Sequence, residues 1–150
     1  MKKIIFVFLA FFYTGSAFAT FSLNGAWLGW ADWNYEGSGT HCVSAQFSYS
    51  EDETKLTRNM GHLDCDYVSM DYPALVLEKK SNGLFNGDQK VGEFGSDQYS
   101  WTEIYSENVK INVTVKREAN HLDYGEQWID SKSQKIYDIH SRLFLKETTY

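Results

Sequence analysis

Proline, cysteine and helix-like periodicity are scarce in this sequence. Its 150 residues contain one proline and two cysteines, and no stretch repeats its apolar residues at the spacing of an amphipathic helix. There is no basic excess either, since 14 basic residues face 20 acidic ones. This balance excludes the positive footprint of a nucleic-acid-binding protein and disfavours contact with an anionic membrane surface. No phosphate-binding loop, catalytic triad or set of metal ligands is recognisable, so the sequence predicts a protein that is not an enzyme and needs no cofactor.

The one long apolar run lies at the N-terminus, where it is too short to cross a membrane. Lys2-Lys3 precedes the ten apolar residues Ile4–Tyr13, about half the number that a transmembrane helix requires. Ala17-Phe18-Ala19 then supplies small residues at the two positions that a signal peptidase inspects. Met1–Ala19 is therefore predicted to be a cleaved signal peptide of bacterial type, and the mature chain to begin at Thr20 in the periplasm or outside the cell.

The mature chain, residues 20–150, has the length of one domain. It loses two lysines with the signal peptide and keeps 12 basic and 20 acidic residues, a net charge of −8. Cys42 and Cys65 are its cysteines, and in an oxidising compartment they are expected to form a disulfide. His41 and His62 lie near them, but the paired spacing of a zinc site is missing, so no metal is predicted.

Turn residues divide the mature chain into nine strand-like segments. Aromatic and β-branched residues fill these segments, as is typical of pleated strands. The fifth is interrupted by Asn86-Gly87, which could instead be a tight hairpin. Because the connections are short and sequential, the pattern predicts an all-β, antiparallel up-and-down β-barrel of about eight to ten strands with one disulfide. The segments are Ala26–Tyr35, Thr40–Ser50, Lys55–Cys65, Ala74–Lys80, Leu84–Phe94, Gln98–Tyr105, Val109–Arg117, His121–Ile129 and Lys135–Lys146.

The disulfide predicts the register of the hairpin that contains it. If Cys42 faces Cys65 across an antiparallel pair, the turn centres on Glu53-Thr54, where turn residues occur. Phe47 would then face Met60 and Ala45 would face His62 on the inner side of the barrel, and the cysteines would lie outside.

Turn positions predict the register of the last three strands as well. A turn at Ala119-Asn120 sets Val115 opposite Tyr124, Val113 opposite Glu126 and Ile111 opposite Trp128. The next turn, centred on Lys132-Ser133, sets Glu126 opposite Ile139 and Asp123 opposite Arg142. Arg142 would then point outward.

Two carboxylates are predicted to face the barrel interior. Alternation places Glu126 inside with Tyr124 and Trp128, and it places Glu103 on one face with Tyr99 and Trp101. A buried carboxylate needs a partner or water, so these six residues are candidates for binding a ligand amine or hydroxyl. The alternative is a carboxylate that is hydrogen-bonded within the core. A glycosidase would use two carboxylates at a fixed separation, which the sequence does not define.

The start of the mature chain resembles two known families. Leu23-Asn24-Gly25-Ala26-Trp27 carries the Gly-x-Trp that opens lipocalin and calycin barrels, in which the tryptophan plugs the closed end. That resemblance implies a structural role for Trp27 and for Arg142, since these families place a last-strand arginine over the tryptophan ring. The layout is also similar to the small periplasmic inhibitors of bacterial metalloproteases, which have a Gly-x-Trp opening, one disulfide and a free N-terminal segment that enters the protease.

Two functions follow as expectations. The first is an exported, lipocalin-like binding protein that holds a small apolar or amphipathic ligand in its barrel. The second is a protein-binding or protease-inhibitor module with a filled core. The state of the barrel interior and of its rim distinguishes the two.

Overall fold

The computed structural model describes residues 21–146, and within them eleven antiparallel strands form one sheet. The predicted signal peptide lies outside the described residues. The strands are β1 Gly25–Tyr35, β2 Ser38–Glu51, β3 Lys55–Cys65, β4 Ser69–Tyr72, β5 Leu75–Lys80, β6 Gly83–Asn86, β7 Gln89–Phe94, β8 Gln98–Ser106, β9 Val109–Arg117, β10 Leu122–Asp130 and β11 Lys135–Leu145.

The sheet closes on itself as an up-and-down barrel. Each strand from β5 to β11 pairs with the next along the chain, β11 pairs with β1, and β1 pairs with β2. The ring closes because β3 pairs with β2 on one edge and with β4 and β5 on the other. The predicted lipocalin-like all-β barrel is confirmed.

β4 and β5 are one strand that is interrupted at Pro73. Gly61 pairs with Tyr72 and Arg58 with Leu75, so a single register along β3 continues across the break. Proline has no backbone N–H to donate to a ladder, which accounts for the interruption. The sequence prediction missed β4. It also treated Leu84–Phe94 as one strand, whereas the alternative hairpin is correct, with Gly87 at a φ of 60° in the turn.

The predicted registers of the last three strands are confirmed. Val113 faces Glu126, Glu126 faces Ile139, and Asp123 faces Arg142. These strands join through short turns and alternate buried with exposed residues, so the turn position determines the pairs up to Trp128, after which the register with β11 shifts by one residue.

The register predicted for the disulfide hairpin is correct at Cys42–Cys65 and again from Tyr49 to Glu51, and it is wrong by one residue between them. The bond forms, but a bulge between Cys42 and Ser44 shifts the pairing by one residue, and a second irregularity between Ser48 and Tyr49 restores the predicted register next to the turn. Phe47 therefore faces Gly61, and Ala45 faces Leu63. Because a bulge changes which residues share a face, the cysteines are buried rather than outside. His62 points outward, with Nδ1 2.7 Å from Asp71 Oδ1.

Candidate functional site

The closed end of the barrel, where β1 begins, is sealed by the segment Phe21–Asn24. Leu23 is fully buried, and its carbonyl accepts a 2.7 Å hydrogen bond from Trp27 Nε1. The Glu51 carboxylate accepts one from Leu23 N–H at 2.8 Å and another from the Tyr99 hydroxyl. The N-terminal segment of the domain is thus fixed inside the barrel.

Arg142 does not cover Trp27, contrary to the calycin resemblance. Trp27 points into the barrel, whereas Arg142 lies on the outer face with its Nε 4.0 Å from Asp123 Oδ1. Strand alternation causes this, since Arg142 lies between the buried residues Ser141 and Leu143. Near the closed end a different arginine approaches an aromatic ring: the Arg117 guanidinium is 5.5 Å from the centroid of Phe21.

Glu126 lies inside the barrel wall, 1% exposed, with three hydrogen-bond donors around it. Its carboxylate accepts hydrogen bonds from Trp128 Nε1 at 2.8 Å, from the Tyr72 hydroxyl at 3.1 Å and from the Tyr124 hydroxyl. Burial raises the pKa of Glu126, although these three hydrogen bonds act to lower it. The geometry matches the hydrogen-bonded core carboxylate that was the alternative interpretation, and a ligand-anchoring role for Glu126 stays a prediction.

Glu103 has a cationic partner that the sequence analysis did not identify. Arg58, 1% exposed, donates to both carboxylate oxygens of Glu103 at 2.7 and 2.8 Å. Trp101 Nε1 adds a third hydrogen bond at 2.8 Å. Arg58 also donates to the carbonyl of Pro73 at 3.2 and 3.3 Å. This bidentate pair crosses the interior from β3 to β8.

A side opening interrupts the barrel wall beside this ion pair. The β6–β7 hairpin turns at Asn86–Gln89, and β7 pairs with β8 over Gly92–Phe94 and Tyr99–Trp101. Where that pairing ends, after Trp101 on β8, a cavity of about 370 Å³ lies between β5 and β8. Its lining includes Glu103, two lysines and four apolar residues from three strands. The lysines are Lys90 and Lys110, and the apolar residues are Leu75, Leu77, Val91 and Ile104.

The six predicted ligand-binding residues do not converge on this opening. Glu103 lines it, and Trp101 lies behind Glu103 as a hydrogen-bond donor. Tyr99 belongs to the closed end. Tyr124, Glu126 and Trp128 form part of the packed interior. Trp128 also packs against Tyr105 and Tyr137, with ring centroids 4.7 and 4.8 Å apart.

Sequence reasoning missed Arg58, Leu75, Leu77 and Val91. Arg58 had a usable signal, since it is two residues from Leu56 and therefore on the same face of its strand. The opening had none, because it arises from the short β6–β7 hairpin and from where the pairing stops.

Within residues 21–146, no helix is long and apolar enough to cross a membrane. In the same span, no three His, Cys, Asp or Glu side chains are arranged so that they could hold a metal ion.

Comparisons with known proteins support the fold. No protein-family model and no curated protein sequence matches this chain. The S-type phycobiliprotein lyase CPES from Guillardia theta is similar in structure, with a TM-score of 0.57 and 5% identity, over 85% of this chain and 90% of that one. A protein of unknown function of the DUF3598 family from Nostoc punctiforme has a TM-score of 0.58 and 10% identity, over 83% of this chain and 47% of that longer chain. At such identities the likeness is one of fold.

Proposed function

We propose that this protein binds a small amphipathic molecule in the side opening of its barrel. The observation that carries the proposal is the cavity of about 370 Å³, which falls within the size range of small-molecule sites. Buried aromatic and aliphatic side chains fill the interior, and its carboxylates are already hydrogen-bonded, so a ligand finds space in the opening rather than in the central lumen. The structural similarity to a phycobiliprotein lyase supports only the choice of scaffold.

The lining favours a ligand with an apolar body and an acidic head group. Leu75, Leu77 and Val91 offer apolar contacts. The carboxylate of Glu103 is neutralised by Arg58, so it does not repel an anion strongly. Lys90 and Lys110 stand exposed at the opening and can receive a carboxylate.

Two neighbouring substitutions test the site. Leu75→Trp would fill the cavity, whereas Val76→Trp adds the same ring on the outer face of the same strand, since Val76 is exposed. Titration with decanoate should shift the methyl resonances of Leu75, Leu77 and Val91 in the wild type and in Val76→Trp. In Leu75→Trp, the methyl resonances of Leu77 and Val91 should not shift. Equal binding by both variants would refute the site.

The edge of β8 supports a second candidate, a protein partner bound as an added strand. Beyond Trp101 no pairing with β7 is present along Thr102–Ser106, although β8 still pairs with β9 there. An unpaired strand edge can accept an extended peptide. A peptide partner would protect β8 amides from hydrogen exchange, whereas decanoate would perturb the side-chain methyls. The protease-inhibitor version is disfavoured because Phe21–Asn24, its required free segment, is fixed by Glu51.

Export remains part of the proposal. The signal-like pattern of Met1–Ala19 and the Cys42–Cys65 bond both fit an oxidising compartment outside the cytoplasm. Intact mass measurement of the protein from a periplasmic extract should give a chain that begins at Thr20 with both thiols oxidised. A full-length, reduced chain found in the cytoplasm would contradict it.

A further inference from the structure

A polar groove lies on the outer face of the barrel, across β1, β10 and β11. This open groove has a volume of about 430 Å³. Cross-strand pairing builds it from two rows, Trp30 beside Arg142 and Asp123, and Asp32 beside His140. It lies on the opposite side of the sheet from the barrel interior, so it is independent of the side opening.

Gly125 adjoins this groove without a structural reason to be glycine. It pairs directly with His140 in the middle of β10. Glycine in the interior of a strand weakens it and marks a bulge, a bend or a close approach. The glycines at 29, 61 and 92 do have such a reason, because a Cβ there would come within 3.0 Å of its neighbours.

At Gly125 a Cβ would be accommodated. It would lie 3.7 Å from His140 Nδ1, an ordinary contact, and the backbone there does not have a positive φ. A β-branched residue would therefore suit the strand better. The missing side chain instead leaves free space beside His140 on the outer face.

Trp30 supplies the apolar component of the groove. It is 42% exposed, and Phe144 supports one side of it at a centroid distance of 5.7 Å. A half-exposed indole offers a flat face for contact and an N–H for hydrogen bonding. Around it Asp32, Asp123, His140 and Arg142 are each more than half exposed.

The polar side chains of the groove keep hydrogen-bonding capacity for a ligand. Arg142 is only loosely paired with Asp123, at 4.0 Å. Asp123 Oδ1 lies 3.0 Å from His121 Nε2, and Asp32 Oδ1 lies 3.0 Å from His41 Nδ1, so each carboxylate keeps its second oxygen for a ligand. Carboxylate and imidazole groups accept hydrogen bonds, and a guanidinium donates several from one plane. Neighbouring hydroxyl groups of a ligand both donate and accept hydrogen bonds, so this combination of donors and acceptors can bind them.

We propose that this groove binds a neutral carbohydrate chain, with a sugar ring stacked on Trp30 and its hydroxyls bonded to Asp32, Asp123, His140 and Arg142. A sugar ring presents a C–H face to an indole and hydroxyls at its edge, which matches the one aromatic and four planar polar groups. The net charge of the mature chain, −8, disfavours an anionic polymer. The space beside Gly125 admits the ring close to the sheet.

Indole resonances give a direct test on the folded mature protein. The chain has five tryptophans, and Trp30→Phe assigns the indole N–H of Trp30. Titration with the hexasaccharides of β-1,4-glucose, α-1,4-glucose, β-1,4-N-acetylglucosamine and β-1,4-xylose should shift that resonance with at least one sugar, and should leave those of Trp101 and Trp128 unchanged. No shift with any of the four sugars overturns the proposal.

Variants decide whether the groove itself is the site. Trp30→Ala and Gly125→Thr should each weaken binding about tenfold, by loss of stacking and by filling the space. Gln127→Ala, on the same exposed face of β10, should bind like the wild type. Gly125→Thr should unfold at no lower temperature than the wild type, so lost binding cannot be attributed to misfolding. Undiminished binding by Gly125→Thr and Trp30→Ala would place the sugar elsewhere and refute the proposal.

Discussion

The two sides of the barrel wall differ in how completely their strands pair. On one side β9, β10, β11 and β1 pair along nearly their full lengths, and their strands have 9 to 11 residues. On the other side β4, β5, β6 and β7 have 4 to 6 residues, and the side opening lies among them. One barrel thus combines a fully paired wall with a side opening, which is where we propose that a ligand binds.

The two interior carboxylates, Glu126 and Glu103, also differ between the two sides of the wall. Glu126, on the long-strand side, is satisfied by neutral donors from Tyr72, Tyr124 and Trp128. Glu103, beside the opening, is satisfied by a cation that reaches it from β3. Arg58 also holds the Pro73 carbonyl, so one side chain links both edges of the opening. We infer that Arg58 compensates for the backbone pairing that is missing there.

Removing Arg58 should give the largest effect. Arg58→Met leaves the Glu103 carboxylate without its charged partner, and breaking a buried ion pair costs about 3–5 kcal/mol. Urea unfolding measures this loss. Amide exchange should increase in β5–β7 before it increases in β9–β11, because the link across the opening is lost.

Two comparisons test that interpretation of Arg58. The double variant Arg58→Met/Glu103→Met should recover most of the stability, since no charge is then left unpaired. Lys80→Met, which breaks the exposed pair with Glu78, should change stability little. A loss in Arg58→Met no greater than that in Lys80→Met would show that the ion pair does not hold the opening together.

Matched leucine truncations should give the next largest effect. Leu122→Ala on β10 creates a cavity in the fully paired wall, with an expected cost of about 3–5 kcal/mol. Leu77→Ala on β5 enlarges an opening that already exists, so we expect a smaller cost of about 2–3 kcal/mol. Both leucines are almost completely buried, which makes the pair comparable. Chemical denaturation measures both, and equal losses would mean that the short-strand side is as rigid as the other.

The pairing of the long strands could be predicted from the sequence, whereas that of the short strands could not. Turn positions at Ala119-Asn120 and Lys132-Ser133 were enough to predict the pairs of Glu126 with Val113 and Ile139. The strands there are long, and buried residues alternate regularly with exposed ones, so the local sequence pattern and the tertiary pairing agree. The barrel was predictable for the same reason, whereas the disulfide was predicted because the chain has two cysteines and a signal-like N-terminus.

The short-strand side and the pairing of β2 with β3 were not predictable because their structure depends on interruptions. The bulge after Cys42 moved Phe47 from Met60 to Gly61, and nothing in the alternation of β2 indicates a bulge. The role of Arg58 depends on β8 lying within reach of β3, which is a property of the closed ring. Glu103 was identified as an inward carboxylate, but its partner and the neighbouring opening required the tertiary structure.

The smallest expected effect is the pH dependence of stability that Glu126 causes. Burial raises its pKa, and the hydrogen bonds from Tyr124, Trp128 and Tyr72 offset part of that increase. The folded protein therefore keeps this proton to a higher pH than the unfolded chain, in which a glutamate titrates at about 4.3. The stability that Glu126 contributes is complete below that pH and is lost as pH rises through the folded-state pKa.

Glu126→Gln does not titrate, so it isolates this contribution. The free energy of unfolding of the wild type minus that of the variant should fall as pH rises from about 4 and then level off once Glu126 is ionised in both states. Tyr72→Phe removes one of the hydrogen bonds that lower the folded-state pKa, so the fall should begin at the same pH but extend to a higher one. In the Glu126→Gln background the same Tyr72→Phe change should have no pH-dependent effect. A difference that instead rises with pH would mean that the Glu126 carboxylate is stabilised in its charged form, which would contradict this prediction.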